Sequence, residues 1–174
     1  MKEKIFGLPL ELYHNRGLIL TLAKNDFKTK YAGSYLGIVW AFIQPIVTIM
    51  VYWFVFTVGL KAGDMAEYPF VLYLISGIVP WFFFQDALNA GTNGLIEYNY
   101  LVKKVVFKIS ILPMVKVISA LFVHVFFVAF ALVICSLNGY TPTLYTLQIV
   151  YYTGCTFVFA LALVYATSAI VVFF

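Results

Sequence analysis

Residues 31–60 read YAGSYLGIVWAFIQPIVTIMVYWFVFTVGL, thirty positions without Asp, Glu, Lys, Arg or His. At about 1.5 Å of rise per helical residue, some twenty residues cross a hydrocarbon core of roughly 30 Å. This run is long enough to span with residues to spare. Lys24, Lys28 and Lys30 crowd together just ahead of it, around Asp26. A basic cluster abutting a spanning helix marks the end that stays in the cytoplasm, so the orientation of everything downstream follows from this junction.

Composition places the whole chain in the same solvent. Of its 174 residues, 64% are hydrophobic and 10% charged, against about 25% charged in ordinary soluble domains. A soluble fold of this size cannot hide so much apolar surface, and the expected class is an all-α, polytopic membrane bundle. The net charge of +4 does not point to nucleic acid, because the bases flank apolar runs instead of lining one face. Cys135 and Cys155 fall in apolar runs without metal-ligand spacing and read as small buried hydrophobes. Charges at 2, 3, 4 and 11 and a proline leave Met1 to Tyr13 without the apolar core of a cleavable signal.

Upstream of the first run, residues 1–33 form an N-terminal arm with an amphipathic helix from Leu18. Thr21, Lys24, Asn25 and Lys28 make a polar stripe at i, i+3, i+4, i+7; Leu18, Ile19, Leu22, Ala23 and Phe27 take the other side, with Asp26 as the one misfit. Such a helix suits the membrane interface. Downstream, spans are expected over about 34–60, 69–89, 109–137 and 144–174. Pro45 should kink the first and Pro80 lies inside the second. Asn89 to Gly94 carries the glycines and asparagines of a helix stop, so 90–108 reads as a separate segment with a short helix over Leu95 to Lys104. Asp86, near an interface, is expected to cap or to bond between helices. Lys116 should snorkel to the boundary. His124, with no evident partner in the sequence, is expected to pack or to hydrogen-bond. Asn138-Gly139-Tyr140-Thr141-Pro142 signals a turn.

Basic residues test the topology. Ten of the eleven fall in the N-terminal arm or around 103–116, and only Lys61 falls in an opposite loop. This predicts a cytoplasmic N-terminus and four crossings. The fourth span is still apolar at Phe174, and the expectation is a chain that continues. Catalytic chemistry is not legible. There is no glycine-rich phosphate loop, no metal-ligand cluster and no nucleophile triad spacing. Asp86 and His124 are expected near opposite ends of their spans, out of each other's reach.

The stretch FKTKYAGSYLGIVW at 27–40, followed by Gln44-Pro45, resembles the start of the first span in permease subunits of polysaccharide-export ABC transporters. VYWFVF at 51–56, GIVPWFFF at 77–84, LVKKVVF at 101–107 and Leu112-Pro113 are similar to that family's pattern too. The resemblance covers essentially the whole chain. It implies the membrane subunit of an exporter of O antigen, teichoic acid or a similar lipid-linked polysaccharide. The chain would sit in the bacterial cytoplasmic membrane beside a second copy of itself. A separate cytoplasmic ABC ATPase would bind the ATP and Mg, leaving no cofactor in this chain. Family members have six spans, which implies two more than are present here. On this resemblance Leu95, Ile96, Glu97, Tyr98, Leu101, Lys103 and Lys104 form a coupling helix seated in the ATPase. Lys24, Lys28 and Lys30 meet lipid headgroups, and Tyr52, Trp53, Phe56, Trp81 and Phe83 line a sugar channel. Two other readings stay open: an ABC permease for a small lipid or drug, and a membrane-embedded transferase using Asp86 or His124.

Overall fold

The computed structural model describes residues 10–33, 35–61, 68–98 and 109–173. They form helices, with no strand among the described residues. A short helical turn at 10–14 leads into α1 (Arg16–Ala32). The first span joins a 3-10 turn (Gly37–Val39), α2 (Trp40–Phe54) and a π-turn (Val55–Gly59). The second is α3 (Phe70–Glu97), the third α4 (Leu112–Leu137) behind a 3-10 turn, and the fourth α5 (Gln148–Phe173) behind another. All four are long and apolar enough to cross a bilayer. Their mean hydropathies of 1.5 to 2.8, with so much apolar surface uncovered, make this a multi-pass membrane protein.

Consecutive spans run antiparallel. Glu97 at the end of α3 meets Lys116 at the start of α4, while the rings of Tyr68 and Tyr140 meet at 5.3 Å at the opposite end of the bundle. α3, α4 and α5 form a tight trio around Phe83, Ala87, Val117, Ala120, Ala160 and Val164. Ala87, Ala120 and Ala160 let the helices approach there, which matters where lipid supplies no hydrophobic drive and close packing holds helices together. α2 stands looser, against Ile75, Ile78, Val79 and Phe127 through Ile49 and Phe42. Only 11% of its most apolar stretch is buried, against 33% for α3.

α3 corrects the expected stop at Asn89 to Gly94, because the helix continues to Glu97. The glycines are there for approach, not termination. A Cβ on Gly91 would lie 2.5 Å from a methyl of Val164 on α5, and one on Gly94 would lie 3.0 Å from the Lys116 stem on α4. Thr92 and Thr167 hydroxyls bond at 2.7 Å across the same α3–α5 seam. In water two glycines cost helix stability of about 1 kcal/mol each. Between membrane helices, packing outweighs that cost. Pro45 and Pro80 likewise sit within α2 and α3 without ending them.

α1 lies against α4 through Ile19, Ala23, Ile111 and Val115, with Phe27 edge-on to Phe122. Thr21, Lys24, Asn25 and Lys28 are exposed, as their stripe predicts. Cys155, read as buried, is exposed on α5.

Candidate functional site

A cavity of about 460 Å³ opens between the end of α1 and helices α2, α3 and α4. Its rim is polar: Lys30 and Tyr31 from α1, Gln44 and Thr48 from α2, and Gln85, Asp86 and Asn89 from α3. Tyr52, Trp81, Phe82, Phe83, Phe127 and His124 add an aromatic wall. Helical spacing explains this order. Trp81, Gln85 and Asn89 recur at i, i+4, i+8, so one face of α3 changes from aromatic to amide toward Glu97. Pro45 lines the wall beside Gln44, and the Thr48 hydroxyl donates to the Gln44 carbonyl at 2.9 Å.

One ion pair crosses the rim. Lys30 Nζ donates to Asp86 Oδ1 at 2.5 Å, with both side chains about a third exposed. Burial opposes the Lys30 charge, but the Asp86 carboxylate, by its charge and hydrogen bond, outweighs it and holds the ammonium pKa above its ordinary value. Asp86 therefore bonds between helices, as its position suggests. His124 is buried, 4.8 Å from the Phe83 ring and 3.3 Å through Nε2 from the Thr153 hydroxyl on α5. Here the structure corrects a second expectation. Asp86 and His124, expected near opposite ends of their spans, line one cavity.

Four of the predicted site residues, Lys30, Tyr52, Trp81 and Phe83, come together here. Phe83 is otherwise buried in the core, and Trp81 is exposed. Trp53 and Phe56 are not brought to the cavity; Trp53 is exposed and Phe56 rests on the Phe70 ring at 5.7 Å. Lys24 and Lys28 are exposed on α1, clear of it. Of the coupling residues, Leu95, Ile96 and Glu97 form the last turn of α3 and Tyr98 caps it. Leu101, Lys103 and Lys104 lie outside the described residues.

A charge cluster where α1, α3 and α4 meet was not legible in the sequence. Lys116 does not snorkel. It is buried, 2.8 Å from Asp26 on α1 and 2.5 Å from Glu97 on α3. Its ammonium stands 4.8 Å over the Tyr98 ring, and the Tyr98 hydroxyl donates to Asp26 at 2.5 Å. Asp26 is thus no misfit. It follows Ile19 and Ala23 at i, i+4, i+7 on the buried face of α1. That spacing was visible, but the burying partner, ninety positions away, was not. Ser110 adds a further tie, donating to Glu11 at 3.1 Å and accepting from the Tyr165 hydroxyl at 2.7 Å.

No family model matches the chain. Three curated proteins are similar to it, each named O-antigen export system permease protein RfbA. One, from Myxococcus xanthus, is 31% identical over 164 residues, 94% of this chain and 62% of the relative. Two, from Klebsiella pneumoniae, are 27% and 25% identical over 63% and 79% of this chain, and 43% and 53% of their own lengths. The chain thus spans less than two thirds of each relative's length. The resemblance drawn from residues 27–40 onward is borne out by these relatives.

Proposed function

We propose that this chain, similar along 94% of its length to an O-antigen export permease, forms membrane spans of an ATP-driven exporter of a lipid-linked surface polysaccharide. It would act as a dimer powered by a separate ABC ATPase, with its basic end in the cytoplasm. The observation that carries this is the similarity over 94% of this chain, and 62% of the relative, on a four-span bundle. The cavity supports it. Amides and a carboxylate at the rim suit sugar hydroxyls, and Trp81 and Tyr52 offer flat apolar faces to sugar rings. Lys30 and the exposed Lys24 and Lys28 would attract an anionic headgroup to the basic end. The last turn of α3, from Leu95 to Tyr98, would begin the contact with the ATPase.

The test is purification of the full-length protein in mild detergent with its neighbouring ATPase co-expressed. Equimolar recovery and ATP hydrolysis in the eluate are the expected result; an intact dimer without an ATPase overturns the reading. Reconstituted in vesicles, the Trp81→Ala complex should lower export about five- to tenfold, the loss of roughly 1 kcal/mol of ring contact, while still co-purifying with the ATPase. The shared cavity of Asp86 and His124 gives the transferase reading one favourable observation. That reading predicts sugar transfer without ATP, abolished in Asp86→Asn.

A further inference from the structure

Helix α1 is tied at two places four residues apart, first to the start of α4 and the cap of α3, then to the interior of α3. Asp26 reaches Lys116 and Tyr98, and Lys30 reaches Asp86. The two ties differ in character. The first is buried, with Asp26 at 5% and the Lys116 side chain at 9% exposure, while the Lys30–Asp86 pair stands about a third exposed on the cavity rim. A buried charge cannot part from its partner without facing a low-dielectric surround alone, so the first tie is rigid. A half-exposed pair exchanges readily with water and with other anions.

Lys116 also holds more than a helix end requires. It grips Glu97 and overlies Tyr98, while Tyr98 itself donates to Asp26. Gly94 leaves the room through which the Lys116 stem passes. Displacing Glu97 and Tyr98 while α1 stays still would break an ion pair, a hydrogen bond and a cation–ring contact together. All three survive only if α1, through Asp26, and the Lys116 end of α4 move along with them.

We propose that Lys116 is the positioning residue that makes α1 follow the segment beginning at Glu97, so that movement there reaches the cavity rim through Lys30. This inference rests on the exporter reading, in which that segment meets the ATPase. The path runs from Glu97 and Tyr98, through Lys116 and Asp26, along one turn of α1, to the Lys30–Asp86 latch.

The deciding variant is the double replacement Asp26→Asn with Lys116→Met, which removes both buried charges and strands neither. Full-length protein, co-purified with its ATPase and reconstituted in vesicles, is compared with wild type for export per ATP hydrolysed. The expected result is wild-type thermal stability and basal ATP hydrolysis, with export per ATP reduced about tenfold. A merely structural pair predicts the opposite, full export once stability is restored, and that outcome overturns the proposal. Tyr98→Phe, which removes one hydroxyl, provides a second measurement should the double variant not fold. It is expected to lower the same ratio about threefold, and an unchanged ratio overturns the proposal equally. Wild-type protein that captures no ATPase brings down the exporter reading and this inference with it. Wild-type coupling that both variants retain removes this inference alone.

Discussion

Asp26→Asn alone is expected to destabilise the bundle by about 3 kcal/mol, the low end of the cost of stranding one partner of a buried ion pair. Lys116 would remain buried with Glu97 as its sole carboxylate among the described residues, and Glu97 is 54% exposed, so its field is weakened by solvent. The Tyr98 hydroxyl would keep an acceptor in the amide oxygen, which confines the loss to the charge. Thermal unfolding in detergent should show the single variant well below wild type. The double variant with Lys116→Met should stand near or above wild type, because a buried ion pair exchanged for neutral groups of similar volume is often no less stable. A single variant as stable as wild type would mean that Asp26 and Lys116 do not meet.

Gly91→Ala is expected to cost about 1–3 kcal/mol, although alanine is the better helix former. The added Cβ would lie 2.5 and 2.7 Å from the two methyls of Val164, a residue fully buried on α5. A β-branched side chain in a helix has one strongly preferred rotamer, so Val164 cannot swing aside. The helix-propensity gain of roughly 1 kcal/mol does not offset a clash of that depth. Val164→Ala in the same chain removes both methyls and should restore most of the loss, a coupling measurable in a double-mutant cycle. Gly77, on the same helix, has nothing within 4 Å of its would-be Cβ. Gly77→Ala should therefore leave stability unchanged or raise it, which separates packing from propensity.

The two glycine environments show what the sequence carried and what it withheld. Four spans were legible because thirty-residue apolar runs have no alternative in a bilayer, and their ends fell within a few residues except at α3. There the same letters, Asn89-Ala90-Gly91-Thr92-Asn93-Gly94, specify a stop in water and a close crossing in a bundle. The small residues Ala87, Gly91 and Gly94, spaced i, i+4, i+7, were the readable sign of the second. The cavity was half legible. Lys30, Tyr52, Trp81 and Phe83 were found through residue type and the family resemblance, whereas Gln85 and Asn89 joined them only once the face of α3 was known. The Lys116 cluster was not legible, since its carboxylates come from positions 26 and 97 on different helices. One-dimensional patterns give the face on which a residue sits, and partner choice across helices is a property of the assembled bundle.

The burial of Lys116 also orders events in time. Asp26 leaves the ribosome ninety residues before the lysine that neutralises it, and Glu97 follows it by seventy-one. While the first two spans enter the bilayer, the inward face of α1 carries an anion with no cation to meet. The contact that neutralises it forms only once the third span has delivered Lys116. A chain stalled or cut before residue 116 lacks the lysine that neutralises this face.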